Sequence, residues 1–321
     1  MPRGISVHVG VNSPDPIFGA TPLEGCRRDA ESMRDIAVDN GFEATIFLDG
    51  AAKFDDVKAA IKDAANRMQA GDIFLFTFAG HGSFRSTVAI DENDGQDETI
   101  LLHDCVLLDN YLRRNLWSQF AEGVRILGIA DSCHSGTVLT GSTVGLSSGV
   151  LGSNLVVAGV EVPRFDESPA FDVSMNGGGA AEFQATSQPV AIGVAPAPQR
   201  GVSARRIRGF TGPERERFER ARPKIHERLR KELLSGEAAK VKASLLSLAA
   251  CRDNEEALDG PNHGAFTQAL LDVWNEGSFN GNYDDFITQI RTKFPEPSQQ
   301  RPIRLPQVVE NSFLQQRPFT I

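Results

Sequence analysis

Residues 72–82 read DIFLFTFAGHG, and residues 124–136 read VRILGIADSCHSG. Each opens on a strand-length apolar run with no polar face. A strand has this texture when both of its faces are covered, as in a parallel sheet flanked by helices. Each run then breaks into small and polar residues. The first breaks at Gly80-His81-Gly82, the second at Asp131-Ser132-Cys133-His134-Ser135-Gly136. In open α/β sheets ligands bind just beyond the carboxyl ends of the strands. One strand end therefore delivers a histidine between glycines, and another a cysteine ahead of a glycine.

Working outward, residues 4–11 (GISVHVGV) form a further β-branched run, and 44–48 (ATIFL) another. Residues 23–38 and 54–69 carry apolar positions at helical spacing and end near Asn40-Gly41 and Gly71. Residues 106–120 read as helical. After the second apolar run, 136–212 turns rich in Gly, Ser, Pro and Ala, the texture of a long mobile insertion. A charged helix is expected over about 213–234, with Pro213 in its first turn and Pro223 interrupting it. Regular patterns resume with a strand at 244–251, helices at 263–274 and 283–294, and an edge strand at 305–310. The alternation predicts an open, mostly parallel α/β sheet with helices on both faces. It also divides the chain into a catalytic region, 1–140, an insertion, 141–240, and a closing region, 241–321, that completes one domain.

The 321 residues carry 33 Lys and Arg against 42 Asp and Glu, a net charge of −9, which argues against a general nucleic-acid binder. Four scattered cysteines, Cys26, Cys105, Cys133 and Cys251, form no CxxC pair and point to a reducing compartment. No apolar run reaches the roughly 18 residues of a membrane helix. The N-terminal apolar stretch is interrupted by His8, unlike a signal peptide. The expectation is a soluble, cytoplasmic protein with no membrane partner.

A thiol needs a base to become a nucleophile, and imidazole has a suitable pKa. Flanking glycines let a substrate approach the backbone and leave amides free for an oxyanion. A lone cysteine at a strand end is usually a small buried hydrophobe. The coincidence of His81 and Cys133 at equivalent ends of two buried strands points instead to chemistry.

The 52-residue separation of His81 and Cys133 is close to the roughly 50 residues between the two in caspases. Phe78-Ala79-Gly80-His81-Gly82 and Asp131 through Gly136 closely resemble the catalytic motifs of metacaspases and their bacterial relatives, the orthocaspases. Leu23 through Ala30 resembles the start of that family's first helix. Ala249 through Ala257, followed by Gly264-Ala265-Phe266-Thr267, resembles its small-subunit region. The resemblance covers most of 1–135 and 241–310 and implies a caspase-like, six-stranded sheet. It makes Cys133 the nucleophile, His81 the base and acid, and the amides of Gly82 and Cys133 the oxyanion hole. Asp29 and Asp131 match two aspartates of an acidic substrate pocket, while a third position, commonly serine, is Ala79 here. Two carboxylates suit a guanidinium or an ammonium and repel an aspartate. The implied partners are protein or peptide substrates cut after Arg, then Lys, and the implied enzyme is a monomer.

No cofactor is required for this chemistry. Asp91, Asp94, Asp97 and Glu98 lie in an acidic run that resembles the family's calcium stretch, although Gly95 comes one position too early for an EF-hand. Calcium is therefore expected only as an activator. Residues 200–231 hold twelve Lys or Arg against four Glu, the balance of a salt-laced surface helix. Arg164, Arg200, Arg205, Arg206 and Arg208 lie in or beside the insertion, where an arginine-directed protease can cut itself. The GxSxG match at 145–149 lacks the strand and helix an esterase elbow needs. A zinc site from His81, His103, Cys133 and His134 has no ligand spacing behind it. Two other readings stay open: a catalytically weak caspase-fold scaffold, and a legumain- or clostripain-like protease with the same His-Gly and Cys layout.

Overall fold

A computed structural model describes residues 1–86, 96–133, 139, 206–210, 213–214, 216–217, 240–252, 255–294, 298, 300–306 and 309–321. The chain divides into two compact units, Met1–Gly145 with Ala204–Ile321, and Leu146–Ser203. Every element below belongs to the first. Most of the insertion expected over 141–240, including the GxSxG match, lies outside the described residues.

Six strands form the main sheet: β1 (Gly4–Gly10), β2 (Glu43–Leu48), β3 (Ile73–Ala79), β7 (Arg125–Asp131), β8 (Ser244–Ala249) and β9 (Ile303–Pro306). Their order is β2-β1-β3-β7-β8-β9. All neighbours are parallel except β9, which runs antiparallel to β8 at the edge. The two longest apolar runs of the sequence, β3 and β7, are the central pair. Their register sets Ala79 opposite Asp131, so both chains leave the sheet at the same level.

Helices cover both faces. Phe74, Phe76 and Phe78 of β3 pack with Val57, Ile61 and Ala64 of α2 (Phe54–Arg67) and with Trp117 and Phe120. Leu75 and Leu127 point the other way, into a core built with α1 (Cys26–Asp39), α3 (Ala265–Trp274) and α4 (Tyr283–Arg291). The alternation of β3 thus feeds two cores, which is why its sequence has no polar face. His8 lies fully buried inside the sheet. Its Nδ1 pairs with Thr77 Oγ1 and its Nε2 with Ser6 Oγ, both at 2.9 Å. Burial, aided by Arg34, lowers its pKa to about 3, so the ring stays neutral.

One expectation needs correction. Residues 106–120 are not a single helix. Val106–Leu108 forms β6, which pairs with β5 (Gln96–Leu101), and β5 pairs with β4 (Gly82–Ser86) in a small antiparallel sheet. Only residues 109–119 coil, in short α, π and 3-10 turns. The apolar triplet Val106-Leu107-Leu108 satisfies helical and strand patterns alike. A tight turn at Leu102–Cys105, with Leu102 N–H donating to the Cys105 carbonyl at 2.9 Å, settles it as strand. Because β4 starts at Gly82, this sheet grows directly out of His81.

Candidate active site

His81 and Cys133 leave adjacent strands, and a third segment, residues 206–210, lies across them. The Ile207 backbone forms an antiparallel bridge with Leu258. Arg208 N–H donates to the Ala257 carbonyl at 2.9 Å, and Asp259 N–H to the Arg206 carbonyl at 2.7 Å. The segment is therefore held as an added β-strand by backbone bonds, the mode by which proteases commonly hold extended peptides. At Arg208 the carbonyl oxygen accepts from two amides at once, Gly82 N–H at 2.9 Å and Cys133 N–H at 3.2 Å. These are the two amides named above for an oxyanion.

Gly82 cannot be anything larger. A Cβ there would stand 2.1 Å from the Cys133 carbonyl oxygen. A Cβ on Gly209 would lie 3.1 Å from Cys133 Sγ, so the thiol sits against the residue that follows Arg208. Sγ accepts from Ala257 N–H at 3.1 Å. Burial pushes the Cys133 thiol well above its ordinary pKa, and the neighbouring Cys251 adds to this. With the segment in place, Cys133 is a thiol.

His81 is buried and stacks on Phe210, ring centroids 5.4 Å apart. Its Nε2 lies 2.8 Å from the Thr21 carbonyl. A carbonyl only accepts, so Nε2 carries the proton and Nδ1 is left with its lone pair. Nδ1 is buried and has no hydrogen-bond partner among the described residues. Burial lowers the pKa of the ring, which favours the neutral form. Thr21 is itself held by Glu214, whose carboxylate accepts from the Thr21 N–H at 2.8 Å and from its hydroxyl.

The side chain of Arg208 is fully buried among three carboxylates. Nη2 meets Asp29 Oδ2 at 2.5 Å and Asp259 Oδ1 at 2.9 Å, and Nη1 meets Asp131 Oδ2 at 3.2 Å. Each acid is held in turn. Asp29 accepts from Gly264 N–H at 3.2 Å and pairs with His263 Nδ1 at 2.9 Å. Asp131 accepts from Thr267 N–H at 3.0 Å and Thr267 Oγ1 at 2.7 Å. Asp259 accepts from Glu24 N–H at 2.7 Å and Gly25 N–H at 3.2 Å. Burial raises the Asp131 pKa to about 6, with Arg208 pulling it down and Asp29 pushing it up. Gly264 leaves the space that the guanidinium fills, since a Cβ there would meet Arg208 Cζ and Asp131 Oδ2, both at 2.5 Å.

Sequence reasoning missed Asp259, Thr21, Gly264 and Glu214. Asp259 and Gly264 sit in the irregular loop ALDGPNHG, whose only signals are turn residues. Ala79, the departure from the family's serine, packs with Leu23 and Cys26. Of the two described arginines suspected of self-cleavage, Arg208 fills the acidic pocket. Arg206 is exposed at its rim and pairs with Glu24 at 3.2 Å, while Arg164, Arg200 and Arg205 lie outside the described residues. Of the acidic run, Asp91, Asp94 and the Asp97 side chain also lie outside them, and Glu98 is buried. No group of three or more candidate metal ligands occurs among the described residues, and no helix there is long and apolar enough to cross a membrane.

This combination of fold and site is that of caspase-type cysteine peptidases. A family model described as "Caspase domain" matches residues 4–316, and the chain belongs to that family. Its curated relatives are metacaspases. Metacaspase-3 of Arabidopsis thaliana is 33% identical over 131 residues, 36% of this chain and 36% of that protein. Metacaspase-1 of Plasmodium falciparum is 30% identical over 131 residues, 36% of this chain and 21% of that protein. The matched part spans less than half the length of these relatives. Over the full length, the chain is similar to the crystal structure of protein GSU0716 from Geobacter sulfurreducens. That match has a TM-score of 0.71 and 31% identity, and it covers 100% of this chain and 99% of that one.

Proposed function

We propose that this chain is a cysteine endopeptidase that cuts after arginine, then lysine, and that its own Arg208–Gly209 bond is its first substrate. One observation carries this reading: Arg208 has its carbonyl on two backbone amides, one of them that of Cys133, and its guanidinium among three carboxylates.

The chemistry follows from that pose. Cys133 Sγ attacks the carbonyl carbon of Arg208 while its proton passes to Nδ1 of His81. The carbonyl oxygen gains the negative charge, and the Gly82 and Cys133 amides stabilise it. His81 then gives the proton to the Gly209 nitrogen. The C–N bond breaks, leaving Arg208 as a thioester on Cys133 and Gly209 as a new amino terminus. His81 takes a proton from water, the hydroxide attacks the thioester, and the thiol leaves with the proton from His81. The raised thiol and the neutral imidazole suit this order, in which the proton moves during attack rather than before it. His81 needs no carboxylate partner, because Thr21 already fixes its tautomer. Lysine brings one ammonium to the same carboxylates without the fork of arginine, so it ranks second. A monomeric enzyme is part of this proposal, and size-exclusion chromatography of the intact chain tests it. Calcium remains a proposed activator acting through the acidic run after His81, and no step above passes through it.

The test follows wild type, Cys133→Ala and Arg208→Ala on gels and by mass spectrometry, with calcium and with a chelator. Fluorogenic peptides ending in Arg, Lys or Asp run alongside. We expect a new amino terminus at Gly209 in wild type only, and Arg cleavage above Lys that vanishes in Cys133→Ala. Cleavage after Asp would overturn the pocket assignment. A wild-type chain that stays whole and leaves every peptide intact would favour the scaffold reading.

A further inference from the structure

The leaving side of the site carries a small apolar cluster apart from the two main cores. Phe18, Leu101 and Val106 form a small cluster of their own, each at most 2% exposed, with Ala20 and Phe210 packed against it. Three separate pieces of chain supply it: the Pro16–Phe18 turn after β1, the end of β5 and the start of β6. The antiparallel sheet that grows out of His81 therefore places this cluster next to the histidine. Phe210, half-buried, packs against it from the 206–210 segment while its ring stacks on His81, interplanar angle 23°. Phe210 is the second residue beyond the Arg208–Gly209 bond. The first, Gly209, lies close against Cys133, where a Cβ would stand 3.1 Å from both Cβ and Sγ.

We infer that the enzyme selects its substrates on the leaving side as well, taking a large apolar or aromatic side chain at the second residue after the cut arginine. This rests on the reading of Arg208 as the residue whose bond is cut. The physical grounds are simple. A buried aromatic side chain contributes strongly through the area it removes from water. Its stacking on His81 also fixes the ring that must protonate the leaving nitrogen, so the contact aids the chemical step as well as binding. An acidic or small residue at that position fills no pocket and leaves one face of His81 open to water.

The test varies the substrate and leaves the enzyme untouched. Quenched fluorescent peptides containing Arg-Ile-Arg-Gly-Phe, Arg-Ile-Arg-Gly-Ala, Arg-Ile-Arg-Gly-Asp and Arg-Ile-Ala-Gly-Phe are compared by kcat/KM with the wild-type chain. Self-cleavage of full-length Phe210→Ala and Phe210→Leu is timed in parallel. The Phe peptide should exceed the Ala and Asp peptides by about tenfold or more. Phe210→Ala should slow self-cleavage by a similar factor, with Phe210→Leu close to wild type. Equal cleavage of the three arginine peptides, with unchanged self-cleavage of Phe210→Ala, overturns the leaving-side pocket and leaves the arginine reading intact. If the peptides resist cleavage while the chain still cuts itself, the Phe210 variants decide. Cleavage of the Ala-Gly bond of the Arg-Ile-Ala-Gly-Phe peptide as fast as the Arg-Gly bond of its counterpart, read by mass spectrometry, or no cleavage of any peptide or of the chain, overturns both.

Discussion

Asp131 is a carboxylate asked to work in a place that disfavours its charge. It is fully buried, faces Asp29 and Arg208, and accepts two bonds from Thr267. Burial dominates, and its pKa of about 6 lies above the ordinary carboxylate range. A raised carboxyl protonates as the pH falls through that value, and a neutral acid holds a guanidinium less well. The value of about 6 holds with Arg208 in the pocket, which pulls it down, so KM for arginine peptides should rise as the pH falls from neutral toward 6 and level off below it. Asp131→Asn should show a high KM at every pH and a flat profile over that range. A wild-type KM that is level from pH 7 to pH 5 would refute the assignment. Asp29 and Asp131 could be picked out in the sequence because the stretches that hold them, 23–30 and 131–136, resemble family motifs whose pocket aspartates they match. Asp259 could not, because nothing in a Gly-, Pro- and Asn-containing loop distinguishes a pocket acid from a turn acid. Choosing Arg208 from among five arginines was equally out of reach. That choice depends on which residue falls opposite Leu258 and Asp259, a register made by residues about 50 positions away.

At the scale of elements, the site is a junction of strand ends and one helix start. The ends of β3 and β7 are level, and α3 begins beside them. The α3 cap residue Gly264 and its third residue Thr267 donate backbone N–H groups to Asp29 and Asp131. A helix N-terminus favours carboxylates, so α3 helps keep the pocket acids charged. Gly264 has ordinary extended backbone, φ −63° and ψ 155°, so alanine is acceptable there except for the space its Cβ takes. Gly264→Ala should still fold, at a cost of about 1–3 kcal/mol for the crowded Arg208 and Asp131, and cut itself about a hundredfold more slowly or worse, because small misplacements of a reacting bond are costly. Self-cleavage at the wild-type rate would show that the guanidinium does not need that space. The strands of this junction were legible because β3 and β7 are pure apolar runs ending in chemically odd residues. The β5–β6 hairpin was not, since Val106-Leu107-Leu108 is too short for periodicity to separate strand from helix.

Across the whole molecule, the sheet separates two cores and carries a polar seam between Ser6, His8 and Thr77. His8 stays neutral down to a pH of about 3 in the folded chain, while an unfolded histidine takes up a proton near 6.5. Its folded value is depressed, so the unfolded state binds more protons below 6.5 and stability falls as the pH falls toward 3. Between pH 6.5 and 5 this group alone should lower unfolding free energy by about 2 kcal/mol. Chemical denaturation of His8→Gln should show that much less loss over the same range. An identical slope in both chains would mean that His8 is charged in the folded state.

The strand made by residues 206–208 has a final consequence in terms of concentration. A segment tethered on both sides of a groove competes with free ligands as though present at millimolar levels. A foreign peptide carrying arginine must displace it, so before cleavage the protein is a strong competitor of its own substrates. Cutting after Arg208 turns one end of that tether into a free chain end and leaves its new carboxylate on the Gly82 and Cys133 amides. The same event that tests the catalytic apparatus thus dilutes its occupant, and the groove passes from serving its own chain to serving others.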